Sequence, residues 1–135
     1  MMSGNFALDI SRFINRTHSN VDLVTRKVVL DVMRSVVRKS PVLTGLFKGN
    51  WQYGTDSMPT GVTDIHDESG QGTIAHITGQ VPQQASGKLH YIVNNLPYSI
   101  RLENGWSSQA PNGMVGLTIS EYQGIVRRAA QEANP

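Results

Sequence analysis

The chain has 135 residues, 39% hydrophobic and only 16% charged, with 13 glycines and no cysteine. That is the length of one domain with a modest core, and it excludes disulfides, thiolate metal sites and cysteine catalysis. The net charge of +2 is unevenly placed: residues 1–50 hold eight Lys/Arg against three Asp/Glu, and residues 51–135 hold four against seven.

The opening MMSGNFALDISRF lacks the basic start and long apolar run of a secretory signal. The most apolar segment, Val28 to Val37, is cut by Asp31 and Arg34, so no membrane span is expected. The expectation is a soluble chain made in the cytoplasm. Low charge with many small polar residues fits a surface that meets other protein, and an ordinary polar surface fits the composition equally well.

In chain order, residues 6–39 read as a long helix. Ile10, Phe13, Ile14, Val21, Val24, Val28 and Val32 recur mostly at three- and four-residue steps, with Leu30, Met33, Val36 and Val37 widening the apolar face. The polar run Arg16–Asn20 leaves an alternative, a helix broken near residue 18 and restarted with Asn20 as cap. Pro41 ends the helix. Thr44-Gly45 and Gly49-Asn50 mark turns, and Trp51 and Tyr53 alternate with polar neighbours as in a half-buried strand. Residues 56–72 read as a long acidic loop, 73–79 (TIAHITG) as a second strand, 79–88 as another loop and 89–95 as a third strand.

Leu96 to Gly105 reads as a short helix, with Pro97 near its start and a glycine at its end. MVGLTI (114–119) reads as a fourth strand. Thr118-x-x-Glu121 fits a capping box opening a C-terminal helix, about 119–133. The expected fold is therefore α+β, a single domain over 1–135. A long N-terminal helix packs on an antiparallel sheet of about four strands, with a short helix and a C-terminal helix.

Catalytic constellations are not evident, and the chain reads as a non-enzyme without cofactor or metal. Asp64 to Glu68 (DIHDE) places acids around His66 but lacks the glycine-anchored calcium pattern. His76 and His90 fall in expected strands, as structural histidines or as a pair facing across a sheet. No G-x-S-x-G elbow occurs, Ser86 and Lys88 have the wrong spacing for an acyl-transfer pair, and SGQGTIAHITG is no dinucleotide fingerprint. The sequence pI near 9.2 raises a rival reading, a small basic nucleic-acid-binding module. Lys27, Arg34 and Arg38 fall on one side of the first helix and would touch phosphate, with Arg26, Lys39 and Lys48 nearby. No nucleic-acid-binding motif or aromatic ladder accompanies them.

Two stretches carry a resemblance. SPVLTGLFKGNW (40–51) is followed some fifty residues later by YSIRLENGWSSQAPNGMVGLTISEY (98–122). Together they resemble the tail-completion, or neck, proteins of long-tailed bacteriophages. The matching positions are Pro41, Thr44, Gly45 and Phe47, then Tyr98, Leu102, Glu103, Asn104 and Gly105, then Gln109, Ala110, Pro111, Gly113, Met114 and Val115.

The resemblance implies a structural virion protein in the neck or tail, forming a ring with itself, six copies by the tail's symmetry. Its other partners would be a head-side adaptor, a tail terminator or the tail tube, with transient contact to DNA in the channel. Tail terminator and head-side adaptor subunit remain alternatives for the chain itself. Candidate interface residues are Arg34, Arg38, Lys39, Glu103 and Trp106; Pro41, Thr44, Gly45, Gly105, Pro111 and Gly113 would shape the turns. Glu103 would accept from turn amides or pair with a neighbour's arginine. Trp106 would anchor an interface or fold back onto its own sheet.

Overall fold

The computed structural model describes residues 2–133. Helix α1, Met2–Lys39, is continuous through the polar run, so the chain takes the unbroken alternative. Its core face, Val29, Leu30, Met33, Val36 and Val37, is buried. Each such side chain contributes on the order of 1.5–3 kcal/mol of transfer free energy, which offsets the weak helix propensity of valine. The helix stops at Ser40, whose hydroxyl donates back to the Val36 carbonyl (2.6 Å) and accepts from Trp51 Nε1 (2.8 Å). One buried serine thus ties the helix end to the start of the sheet.

A short turn of helix, α2 (Leu46–Gly49), leads into β1 (Trp51–Thr55), which pairs antiparallel with β2 (His90–Asn94). Trp51 lies opposite Asn94, and Tyr53 opposite Ile92. Trp51 and Tyr53 are buried on one side of β1, as their alternation predicts. Among the described residues this two-stranded sheet is the whole sheet, so the fold is mixed helix and strand but not four-stranded.

Both missing strands are helices. Residues 73–79 lie in α3, Gln71–Gln80. Thr73, Ile77 and Val81 are buried at four-residue steps, a helical period hidden under alternating Thr and Ile. The helix is started by a carboxylate outside it: Asp67 accepts from the Gly70 N–H (3.1 Å), the Thr73 N–H (2.7 Å) and the Thr73 hydroxyl (2.8 Å).

Residues 115–120 form α5, Val115–Ser120, after the short α4, Ser99–Glu103. The expected capping box does not form. Thr118 lies inside α5 and donates to the Met114 carbonyl (2.8 Å), while Glu121 forms an ion pair with Lys39 (3.0 Å). The last helix is α6, Tyr122–Ala133.

Helix α6 runs antiparallel along α1, with Lys39–Glu121 at one end and Lys27–Glu132 at the other. Between them the Ser35 and Thr118 hydroxyls bond at 2.8 Å. The core joins α1, Phe47, Trp51, Tyr53, Ile77, Val81, Leu96, Ala110 and Met114. No described helix is long and apolar enough to cross a membrane.

The two expected loops are held by side chains. Asn50 is fully buried and binds both backbone groups of Thr63: its Oδ1 accepts from the Thr63 N–H (2.8 Å) and its Nδ2 donates to the Thr63 carbonyl (3.1 Å). In the second loop, Asp22 of α1 accepts from the Ser86 N–H (3.0 Å) and from its hydroxyl. Ala85 beside it is buried.

Candidate interaction site

The 41–47 turn and the 98–115 segment, far apart in sequence, meet in space. Between them lies a groove of about 280 Å³ whose walls include Pro41, Leu43, Phe47, Tyr98, Trp106 and Gln109. Three aromatic rings, Phe47, Tyr98 and Trp106, line it. Phe47 meets Trp51 edge-on at 5.9 Å between ring centroids and Tyr98 at 6.2 Å.

Each wall is fixed by a local device. Gly45 adopts φ 83°, and a Cβ there would press on the Asp67–Glu68 backbone, so only glycine lets the turn lie against that loop. Its carbonyl accepts from the N–H groups of Gly49 and Asp67 (2.9 Å each). The Thr44 carbonyl accepts from His66 Nδ1 (3.1 Å). Across the groove, the Gln109 side chain accepts from the Val42 N–H and donates to the Val42 carbonyl, both at 2.8 Å.

Helix α4 closes with the hydrogen bonds of a left-handed glycine cap. Gly105 N–H donates to the Leu102 carbonyl (3.2 Å) and Trp106 N–H to the Arg101 carbonyl (3.1 Å), with Gly105 at φ 88°. The chain then circles through Pro111 and Gly113 back to Glu103. A Cβ on Gly105 would strike the Pro111 carbonyl, and one on Gly113 would strike the Glu103 carbonyl.

Glu103 is the hub of this circle. Oε1 accepts from the N–H groups of Met114 (3.0 Å) and Val115 (2.9 Å), and Oε2 from that of Gly116 (2.9 Å). Burial pushes its carboxyl pKa up, but the three amide donors outweigh it and the net shift is downward. Of its two expected roles, Glu103 takes the one within its own turn. Asp67 is shifted in the same direction: burial raises its pKa, and the donors from Thr73, Gly70 and Ser69 lower it further than burial raises it.

Trp106 does not fold back onto the sheet. It is 74% exposed and stands beside Arg101, whose guanidinium carbon lies 5.3 Å from the ring centroid. Leu43, 93% exposed, and exposed Tyr98 complete an apolar rim, and Ile100 on α4 is 75% exposed outside the groove lining. Sequence reasoning found Trp106 but missed Leu43 and Ile100. For Leu43 the signal available was a large aliphatic two residues before the turn glycine Gly45; Ile100 carried no such signal.

The basic residues are not gathered with this site. Arg34 pairs with Asp31 on its own helix (3.2 Å), Lys39 and Lys27 pair with acids of the C-terminal segment, and Arg26 donates to the Thr78 (3.1 Å) and Val81 (3.4 Å) carbonyls. Arg38 is exposed. The stripe expected to meet phosphate is thus largely matched by the protein's own oxygens.

The expected facing of His76 and His90 across a sheet does not occur, because His76 lies in a helix and only His90 in a strand. His76 is exposed on α3. His90 Nε2 donates to the Ala85 carbonyl (2.7 Å), which leaves Nδ1 to accept from the Tyr53 hydroxyl (2.6 Å). Among the described residues no three His, Asp or Glu side chains converge as a metal would require. Compared with family models, with curated proteins and with solved structures, the chain matches none.

Proposed function

We propose that the chain is a structural subunit of a long-tailed phage particle. It would sit in the neck, complete the tail and join it to the head as one copy in a closed ring. The supporting observation is the corner just described. The two stretches that carry the resemblance form opposite walls of one groove, latched together by Gln109 and Val42. A held frame that exposes Leu43, Tyr98, Ile100 and Trp106 is suited to binding protein. Its geometry is set before a partner arrives, which lowers the ordering cost of association.

The test is a phage encoding this chain with Trp106→Ser and Leu43→Ser substituted together. The expected result is unjoined heads and tails and at least a tenfold loss of infectious particles, while the purified variant keeps its melting temperature. Normal particles would sink the reading. So would imaging of intact virions that places the chain outside the neck and tail.

A further inference from the structure

Among the described residues, the buried polar side chains are those of Ser40, Lys48, Asn50, Thr73 and Thr118. All but one hydrogen-bond within the protein. Lys48 is the exception. It is only 8% exposed, yet its ammonium meets no acceptor and no carboxylate among the described residues. Lysine is almost never buried this far without a partner, because the charge gives up its hydration. No described side-chain nitrogen that is sealed from solvent lacks a hydrogen-bond partner. The Lys48 ammonium, which lacks one, therefore ends at an opening.

That opening is a pocket of about 390 Å³ between the end of α1 and the turn after α4, walled by Arg38, Lys39, Lys48, Gln109, Asn112 and Gly113 among others. No Asp or Glu lines it. The Lys48 stem is held in place: a Cβ on Gly70 would sit 3.4 Å from Lys48 Cδ. Asp67, which accepts from the Gly70 N–H, is occupied by amide and hydroxyl donors and forms no ion pair with the lysine.

Most of the other polar walls are engaged. Lys39 pairs with Glu121 at 3.0 Å, and both ends of the Gln109 amide hold Val42. The Ser40 hydroxyl bonds Val36 and Trp51. Arg38 is exposed and forms no ion pair, here or with Asp31 and Glu121 in the groove on its other side. Two positive charges and the Asn112 amide are thus unmatched.

An occupant that neutralises both charges carries two negative ones on a compact, acceptor-rich group. A carboxylate, or a phosphodiester of a nucleic-acid backbone, carries one. A phosphate with a free second ionisation carries close to two at neutral pH, and its oxygens match the guanidinium fork. We propose that this pocket binds a phosphate dianion, either inorganic phosphate or the terminal group of a phosphate monoester. Lys48 supplies the charge at the inner end, where low dielectric strengthens the attraction. Arg38 closes on the ligand from the rim, and Asn112 adds a neutral donor. The site needs neither the aromatic groove nor a ring of copies.

The test is calorimetric titration of the full-length chain with sodium phosphate and with adenosine monophosphate, at ionic strength held constant with chloride. Sodium acetate and a DNA duplex without terminal phosphates are run beside them. The expected result is one saturable phosphate site per chain. Tighter binding of inorganic phosphate identifies the free ion as the ligand; tighter binding of the monophosphate identifies a monoester. Lys48→Met keeps the buried stem and removes the charge, and Arg38→Gln removes the second charge. Each should weaken phosphate binding by about tenfold or more, the loss of one charge-assisted hydrogen bond. Without phosphate, Lys48→Met should melt no lower than wild type, because the charge it removes had no partner. Absence of saturable binding by either phosphate overturns the proposal. So does acetate binding as tightly as phosphate, or DNA bound through Lys48 and Arg38 in preference to both. Should Lys48→Met fail to fold, Arg38→Gln at its exposed position decides alone, and unchanged phosphate affinity in that variant overturns the site.

Discussion

The side chain of Gln109 grips the backbone of Val42 by both its N–H and its C=O, at 2.8 Å each, across 67 residues of sequence. A primary amide is suited to this because it carries one acceptor and one donor side by side. Gln109→Ala should lower stability by about 1–2 kcal/mol, the usual net worth of two hydrogen bonds. That corresponds to a fall in melting temperature of roughly 3–8 °C for a chain of this size. Gln109→Glu should do no better, since a carboxylate cannot donate to the Val42 carbonyl. A thermal melt that distinguishes neither variant from wild type would refute the clamp.

Acid should weaken the fold through Glu103 and Asp67. Both carboxyls have pKa values lowered on folding, so each stabilises the native state above its unfolded value, 4.5 for Glu and 3.8 for Asp. That contribution is lost as pH falls through the lower folded values. Stability measured by denaturant titration should therefore decline from about pH 4.5 downward. Glu103→Gln should be less stable at neutral pH and show a shallower decline.

The three glycines of the corner should not tolerate a methyl group. Gly105→Ala and Gly113→Ala combine positive φ with collision against a carbonyl, and Gly45→Ala collides with backbone. Each should cost more than about 2 kcal/mol. Gly61 and Gly87 have similar φ angles with open space where the Cβ would go. Alanine there should cost only the backbone strain, about 1 kcal/mol. Equal losses at all five positions would show that the collisions are relieved by movement.

Met33 is fully buried in the centre of the α1 face. Met33→Ala should cost about 2–5 kcal/mol by chemical denaturation, the range for emptied core sites. Arg38→Glu, at an exposed position, should change stability by no more than about 0.5 kcal/mol.

The C-terminal half of the long helix and the Trp51–Tyr53 strand were legible because periodicity and burial agree there, and the strand ending at Asn94 was legible from its alternation alone, since all five of its residues are half-buried. The segment at 73–79 was not. Alternating Thr and Ile is a strand pattern locally, yet Asp67 supplies amide partners for a helix start and Ile77 finds a pocket in the core. The helix from Val115 was hidden for a related reason. Its first amides are satisfied by Glu103, which lies 11 to 13 residues earlier and leaves no trace in the local pattern. The corner's glycines and Trp106 could be picked out from sequence, but not the meeting of the two walls. That depends on Gln109 reaching Val42, a pairing invisible to any window of neighbouring residues.

The grips that Asn50, Glu103 and Gln109 exert on distant backbone contain no bond that a reductant breaks or an oxidant forms. Each remakes itself whenever the chain refolds, with no pairing to get wrong. The corner's shape is therefore indifferent to redox potential and should survive passage between a reducing cell interior and an oxidising exterior unchanged.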